Sequence, residues 1–300
     1  MSLYYNQHTV AKPVRCIGIG MHSGKTVHLT IRPAPVNHGI RFVRTDLADN
    51  PSVAAHFNMV VDTSLATVIG CEGFIVSTIE HLMSAFSGMA IDNALVEIDS
   101  HEMPIMDGSA AVFVNSIAAV GIKEQACPRY YFAVTEPIAL KEGEKSIAIY
   151  PSDSFQISCT IEYDHPLIQN QCFTVDLGTD NFQQEIAAAR TFGFLHEYEY
   201  LKRYGFAQGG SLDNVVVLDQ NGILNEDGLR YPDEFARHKT LDCIGDLFLL
   251  GMPILGHVVA IRSGHALNNA FLKKIFSHKQ SWETRLLQDE TPAKSKALAI

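Results

Sequence analysis

The sequence predicts a mixed α and β protein in which two similar halves follow one another. Strand-like and helical segments are mixed along the 300 residues without a regular alternation. Each half has strands, a helix that ends in glycine, an apolar strand and a second helix, although identity between the halves is negligible. Residues 123–129 (KEQACPR) are polar and contain proline, which favours a linker. We therefore expect domains at 1–126 and 127–300, related by duplication, with a functional site between them.

The first half shows two helical and two clear strand patterns. Residues 27–32 (VHLTIR) alternate like a half-buried strand. Residues 77–86 predict a helix that stops near Gly88, residues 94–98 an apolar strand, and residues 109–119 a second helix.

The second half begins with strands and ends with helices. Four short runs are strand-like, at residues 130–134, 146–150, 155–163 and 172–177. Residues 182–189 predict a short helix. Residues 232–250 predict a long one, with proline near its start and Gly251 just past its end. A strand at 254–261 and a helix at 265–276 complete the half.

Composition argues against several functional classes. Apolar residues make up 47% of the chain, charged residues 19%, and the formal net charge is -10. A nucleic-acid-binding protein usually carries a basic excess, and an acidic chain has no general attraction to anionic membranes. We expect neither partner.

Three other features of the sequence predict a cytoplasmic protein. The N-terminus has no long apolar core, so we expect no signal peptide. The longest uncharged apolar run, residues 247–261, is too short to span a membrane. The six cysteines form no C-x-x-C pair, which favours reduced thiols.

A histidine and an aspartate share one face of the long predicted helix. His238 and Asp242 are four residues apart, and their face also carries Phe235, Gly245 and Leu249, so it should point into the core. A buried carboxylate without a partner is costly, and a metal ion is one partner that would satisfy both side chains.

The first half offers a third ligand and a base. With His81, the set becomes two histidines and one carboxylate, a catalytic zinc set that leaves a position for water. Glu80 would then accept the proton of that water. Taken singly, each residue has a plainer explanation: Glu80 closes a capping box with Ser77, His81 is a hydrogen-bonded histidine, and His238 with Asp242 is an ordinary i,i+4 pair.

His265 is a candidate proton donor. It opens a predicted helix after Ser263, a natural N-cap, where the helix dipole disfavours a charged imidazole. Asp246, one turn beyond Asp242, would keep the ring protonated if the two paired. On sequence alone, a surface histidine at a helix cap is the favoured interpretation of His265.

An aromatic segment follows Thr191. The Thr191 hydroxyl could polarise a carbonyl, and Gly205, Gly209 and Gly210 would let the segment form a flap. Its apolar side chains could line a cleft or, as is more usual, form a small subcore: Phe192, Phe194, Tyr198, Leu201 and Phe206. The turns at residues 22–24 and 106–109 are interpreted as structural.

Several long motifs resemble one enzyme family. They are STIEHLMSAFSGMAIDNALVEI, MPIMDGSA, ARTFGF, LNEDGLRY, RHKTLDCIGDLFLLG and SGHALNNA. They resemble the UDP-3-O-acyl-N-acetylglucosamine deacetylases of Gram-negative bacteria, the zinc amidases of lipid A biosynthesis. The resemblance runs from Gly20 to about Trp282. It implies an α+β fold of two similar domains, each a β-sheet layered with two α-helices, and an active site at the domain junction.

The resemblance also implies the role of each site residue. The zinc ligands would be His81, His238 and Asp242. The catalytic residues would be Glu80 as general base, His265 as general acid oriented by Asp246, and Thr191 as oxyanion stabiliser. Lys239 and Phe192 would contact the substrate, and the insert at about 194–214 would form an acyl-chain passage, in which we include Phe194, Leu201 and Gly210.

The expected reaction is hydrolysis of the acetamide of UDP-3-O-(3-hydroxyacyl)-N-acetylglucosamine to acetate and the free amine. Two alternatives stay open: a zinc amidase for another N-acyl substrate, and a catalytically silent protein that binds acyl nucleotides. Iron(II) also suits histidine and carboxylate ligands.

The last ten residues, TPAKSKALAI, have two interpretations. The apolar end could be a handle for a regulatory protease, or residues 291–300 could be a frayed end without a role.

Overall fold

The computed structural model describes residues 4–178 and 182–287. The predicted protease handle at 291–300 lies outside these residues. The strands up to the second helix are β1 Asn6–Val10, β2 Val14–Ile19, β3 Thr26–Pro33, β4 Ile40–Arg44, β5 Ser52–Ala54, β6 Val60–Asp62, β7 Val68–Cys71, β8 Phe74–Val76 and β9 Ala94–Ile98. The later strands are β10 Ile122–Pro128, β11 Tyr130–Val134, β12 Ile138–Glu142, β13 Lys145–Tyr150, β14 Phe155–Tyr163, β15 Gln169–Asp176, β16 Phe192–Phe194, β17 Val216–Leu218, β18 Ile254–Ile261 and β19 Trp282–Leu286.

Six α-helices lie in the described residues. They are α1 Glu80–Gly88, α2 Ala111–Val120, α3 Phe182–Glu185, α4 Leu195–Arg203, α5 Glu234–Phe248 and α6 His265–Ser277. The predicted helix at 182–189 is therefore shorter than expected, and the insert contains a helix of its own. None of the helices in the described part of the chain is long and apolar enough to cross a membrane.

Each half is a sheet covered by two helices, which confirms the α+β fold class. In the first half, five strands pair in the order β2-β3-β9-β4-β5, α2 packs against β2, and α1 packs against α2. In the second half, β12-β13-β18-β11-β19 form a path, with β14 and β15 added beside β18. Helix α5 covers β14 and β15, and α6 covers β12 and β13.

The two halves meet through α1 and α5, which pack against each other. Nearly every side chain on both helices is buried. Gly245 makes the contact possible, because a Cβ on it would lie 2.0 Å from the Glu80 carbonyl oxygen. The prediction that the Gly245 face of this helix points into the core is confirmed.

The prediction that residues 123–129 form a linker loop is wrong. Residues Ile122–Pro128 form β10, which pairs antiparallel with β1 near the N-terminus. The prediction failed because a partner more than a hundred residues away satisfies the backbone of this polar segment. The division into residues 1–126 and 127–300 stays a prediction.

Candidate active site

Three predicted metal ligands converge where α1 meets α5. His81 lies in the first turn of α1, and His238 and Asp242 lie one turn apart on α5. Asp242 Oδ1 is 3.5 Å from His81 Nε2 and 3.3 Å from His238 Nε2. All three residues are buried, and their ligand atoms lie within 4.8 Å of one another.

These three side chains fit a metal ion. Asp242 Oδ1 is buried and has no hydrogen-bond partner among the described residues, although such an atom is costly to leave unsatisfied. Ligands held about 2.0–2.2 Å from a tetrahedral ion lie about 3.3–3.6 Å from each other, and the two distances to Asp242 Oδ1 agree with this. The set can therefore hold a metal, and the geometry leaves its identity open.

The surroundings keep His238 and Asp242 in the protonation states that metal ligands need. His238 Nδ1–H donates to the Ala189 carbonyl at 3.0 Å, which leaves the Nε2 lone pair facing Asp242. Burial lowers the pKa of His238 to about 3, so the ring is neutral at pH 7. Burial acts to raise the pKa of Asp242, but the His238 ring and the Lys239 ammonium lower it, and the net pKa lies well below the usual range.

Glu80 does not form the predicted capping box. Helix α1 begins at Glu80 itself, after Thr78 with φ of +61°, and no side chain caps it. Glu80 Oε2 instead accepts the backbone N–H of Thr67 at 3.1 Å. Burial raises the pKa of the Glu80 carboxyl, with the rings of His265 and His81 opposing the shift. A carboxylate with a raised pKa suits the role of a general base.

His265 and Asp246 pair, as expected. His265 Nδ1 lies 2.8 Å from Asp246 Oδ2, and His265 Nε2 lies 3.9 Å from Glu80 Oε1. Burial lowers the pKa of His265, but the charge and hydrogen bond of Asp246 outweigh it and raise the pKa to about 10. The ring is therefore cationic at pH 7.

The alternative of a surface histidine at a capped helix start is wrong for His265. Gly264, not Ser263, occupies the N-cap position of α6, and no side chain caps the helix. The His265 side chain is 13% exposed.

Two further residues hold Asp246, and sequence reasoning missed both. Asn268 Nδ2 donates to Asp246 Oδ2 at 2.9 Å, and the Thr67 hydroxyl donates to Asp246 Oδ1. Asn268 could have been found, because it lies three residues after His265 on the same helix face. Thr67 lies just before β7 in a loop whose position carries no local sequence signal.

A cavity of about 430 Å³ opens beside Glu80 and His81. Its lining includes Thr191, Gly210 and four of the five predicted cleft residues: Phe192, Phe194, Tyr198 and Leu201. The aromatic segment thus borders a cavity as well as packing internally: the Phe192 ring contacts Phe235 at 4.9 Å between ring centres. Among the predicted cleft residues, Phe206 lies outside this lining, with 45% of its surface exposed and its ring against His22.

The turn at 106–109 fixes Thr191. The Gly108 carbonyl accepts the Thr191 N–H at 2.8 Å. Gly108 has φ of +83°, and a Cβ there would lie 2.0 Å from the Asn214 carbonyl oxygen, so the turn requires glycine. The turn interpreted as structural therefore also positions a residue of the cavity.

Lys239 lies at the edge of the candidate site. Its ammonium donates to Asp242 Oδ2 at 2.8 Å and lies 5.7 Å from the centre of the Phe192 ring. It is not among the residues that line the cavity in the described part of the chain. Burial acts to lower the pKa of Lys239, but Asp242 outweighs it, so the pKa is raised and the group stays cationic.

Two imidazoles and a carboxylate beside an acid–base pair are the side-chain set of a metal-dependent hydrolase. The family model of the UDP-3-O-acyl N-acetylglycosamine deacetylases (LpxC) matches residues 7–277, and the chain belongs to this family.

Curated relatives with high identity carry the name UDP-3-O-acyl-N-acetylglucosamine deacetylase. The protein from Myxococcus xanthus is 50% identical over 279 residues, which cover 93% of this chain and 89% of the relative. The protein from Anaeromyxobacter sp. strain Fw109-5 is 50% identical over 91% of this chain and 90% of its own. The protein from Coxiella burnetii is 45% identical over 94% of each chain.

Proposed function

We propose that this protein hydrolyses the acetamide of UDP-3-O-(3-hydroxyacyl)-N-acetylglucosamine, in the cytoplasm of a Gram-negative bacterium, as a step of lipid A biosynthesis. The products are acetate and UDP-3-O-(3-hydroxyacyl)-glucosamine. The observation that carries the proposal is the unpartnered Asp242 Oδ1 between two imidazoles, next to Glu80 and His265, in a chain half identical to proteins named for this reaction.

His81, His238 and Asp242 would hold the metal ion, for which we propose zinc, with iron(II) as an alternative in the cell. When bound there, the ion would supply a Lewis acid for the acetamide carbonyl and for the attacking water.

The chain's own residues carry the proton transfers. Glu80 takes a proton from water as the water oxygen bonds to the carbonyl carbon. Negative charge then moves to the carbonyl oxygen, where the Thr191 hydroxyl donates a hydrogen bond. His265, kept cationic by Asp246, gives its proton to the nitrogen as the C–N bond breaks. The products leave as acetate and the protonated amine, and Glu80 passes its proton to His265, which restores the carboxylate and the imidazolium.

The apolar cavity supports the assignment of an acylated substrate. Phe194, Leu201 and Gly210 line it with mostly apolar atoms, and Phe192 lies between it and His238. We propose that the acyl chain enters this cavity, with Phe192 and Lys239 contacting the sugar nucleotide at the end next to the metal ligands.

Acetate release from a panel of substrates tests the proposal. Purified, metal-loaded protein should release acetate and free amine in equal amounts from the UDP-acyl sugar. Release from other N-acetyl compounds at a similar efficiency would favour the alternative of a different amidase. Binding of the UDP-acyl sugar without any acetate would favour the silent binding protein.

We also propose a regulatory protease as a partner that acts on the C-terminal residues 291–300, supported only by their apolar end. Deleting them should lengthen the half-life of the protein in cells. An unchanged half-life would leave the alternative of an end without a role.

A further inference from the structure

Thr67 contacts both Glu80, the proposed general base, and the Asp246–His265 pair, which provides the proposed general acid. It lies just before β7, is buried with 2% of its surface exposed, and is not among the residues that line the cavity. Its backbone N–H donates to Glu80 Oε2 at 3.1 Å, and its hydroxyl donates to Asp246 Oδ1. The same hydroxyl oxygen lies 3.2 Å from His265 Nδ1.

These contacts fix which atoms face each other. Because Thr67 occupies Glu80 Oε2, the other oxygen, Oε1, is the one that lies 3.9 Å from His265 Nε2. Asp246 is held at both oxygens, with the Thr67 hydroxyl on Oδ1 and with His265 and Asn268 on Oδ2. A carboxylate held at both oxygens cannot rotate, so the ring bonded to it keeps its direction.

We propose that Thr67 is a positioning residue that aligns the general base with the general acid, its amide orienting Glu80 and its hydroxyl orienting the Asp246–His265 pair. This inference rests on the function proposed above. The base and the acid come from helices in different halves of the chain, α1 and α6, and Thr67 is hydrogen-bonded toward both. Thr67 itself would touch neither the substrate nor the metal.

Substitution of Thr67 by valine tests the role of the hydroxyl, because valine has nearly the same shape as threonine. Thr67→Val keeps the β-branch and the backbone N–H to Glu80 and removes only the hydroxyl. We expect kcat to fall about tenfold to a hundredfold, the range of a hydrogen bond to a charged group. KM should stay the same, because Thr67 does not line the cavity. Thr67→Ser, which restores the hydroxyl, should recover kcat. If Thr67→Val fails to fold, the pair Thr67→Ser and Thr67→Ala gives the same comparison.

Thr9 provides the matched control. Its hydroxyl is equally buried and hydrogen-bonded, to Asn93 and Ala34, away from the candidate site. Thr9→Val should lower the melting temperature and leave kcat unchanged, whereas Thr67→Val should lower kcat at full metal content.

A double variant tests whether Thr67 acts through Asp246. Once Asp246→Asn has disrupted the pair, adding Thr67→Val should lower kcat little further. A kcat for Thr67→Val close to that of the unaltered protein would overturn the inference and leave the proposed function standing, as would equal kcat values for Thr67→Ser and Thr67→Ala. No acetate from the unaltered, metal-loaded protein would overturn the proposed function and this inference with it.

Discussion

The charge of the His265 ring depends mainly on the carboxylate of Asp246. Burial alone would lower the pKa of His265, and Asp246 is the largest influence that raises it. The proposed acid must be protonated to act, so activity should persist up to the pKa of His265 and decline above it.

Asp246→Asn should therefore move the descending limb of the pH profile of kcat/KM to lower pH. With the negative charge gone, burial lowers the pKa of His265 below its present value of about 10, and the cationic fraction is lost at lower pH. Turnover at pH 7 should fall about a hundredfold or more. Metal analysis of the variant serves as the control, because its metal content should stay unchanged. An unshifted limb with near-normal turnover would mean that Asp246 does not support a cationic His265, and protonated Glu80 would become the next candidate.

Metal binding should require all three ligands. His81→Ala, His238→Ala and Asp242→Ala are each expected to lose metal and activity together, because a site with three protein ligands has none to spare. Elemental analysis of the purified variants measures this directly. His28→Ala, which alters a histidine whose side chain is 60% exposed, should keep its metal. Full metal occupancy in any of the three variants would remove that residue from the ligand set.

For these residues the sequence predicted which side chains lie close together better than it predicted how deeply they are buried. The spacing of His238 and Asp242 predicted their shared face, and Asp246 was correctly paired with His265. The burial of His265 could not be predicted, because Glu80 and Thr67, which lie against its ring, come from distant parts of the chain.

The packing of helix α1 against helix α5 positions the candidate site. Helix α1 carries Glu80 and His81, and α5 carries His238, Asp242 and Asp246, so the spacing of the two helices sets the distance between their side chains. That spacing depends on Gly245, whose missing side chain lets the Glu80 carbonyl approach.

Gly245→Ala should therefore destabilise the protein, although alanine usually favours a helix by about 1 kcal/mol. The added Cβ would lie 2.0 Å from the Glu80 carbonyl oxygen, which is backbone and cannot move without shifting α1. We expect the free energy of unfolding to fall by about 1–3 kcal/mol, as overpacking usually produces, and activity to fall with it. Urea unfolding followed by circular dichroism measures the change.

Gly222→Ala is the matched control for this prediction, because a Cβ at Gly222 would meet nothing within 4 Å. It should leave the urea midpoint and the activity nearly unchanged. If Gly245→Ala behaved in the same way, the close contact between the helices would not determine the site.

Element boundaries were predictable only where local chemistry decides them. Helix α5 was predicted within two residues at each end from its proline and glycine signals. The start of α1 was not, because Glu80 turns away from Ser77 to the Thr67 amide, and the left-handed Thr78 delays the helix. The strand β10 was missed for the same kind of reason, since its partner β1 is distant in sequence.

The molecule as a whole joins a polar centre to an apolar cavity. The order of elements predicted two similar halves with a site between them, and the contact of α1 with α5 is compatible with that arrangement. The sequence could not decide between a subcore and a cleft for the aromatic segment, because that choice depends on how α4 packs against the loop around Gly210.

The cavity should make catalysis depend on the acyl chain. Each methylene that enters an apolar site contributes about 0.8 kcal/mol, which is about fourfold in kcat/KM. Efficiency should therefore rise with chain length until the cavity is full, and UDP-N-acetylglucosamine should be a very poor substrate. Steady-state kinetics on a series of chain lengths measures this. Comparable efficiency on UDP-N-acetylglucosamine would contradict the assignment of the cavity.

Variants of two neighbouring residues of α4 distinguish a loss of contact with the acyl chain from a general disturbance of the helix. Leu201 lines the cavity, whereas Tyr200 is 59% exposed. Leu201→Ala should lower kcat/KM for the acylated substrate about fifteenfold to sixtyfold, the loss expected for two to three buried carbons. Tyr200→Ala should leave it unchanged.

We propose that a metal ion held by His81, His238 and Asp242 makes this protein a deacetylase. The most direct test measures acetate release from UDP-3-O-(3-hydroxyacyl)-N-acetylglucosamine before metal removal, after chelation, and after zinc is restored. We expect acetate release by the loaded protein, none by the metal-free protein, and recovery with about one equivalent of zinc, as one three-ligand site requires. Undiminished acetate release from the metal-free protein, or none after zinc is restored, would show that this metal site does not carry the reaction.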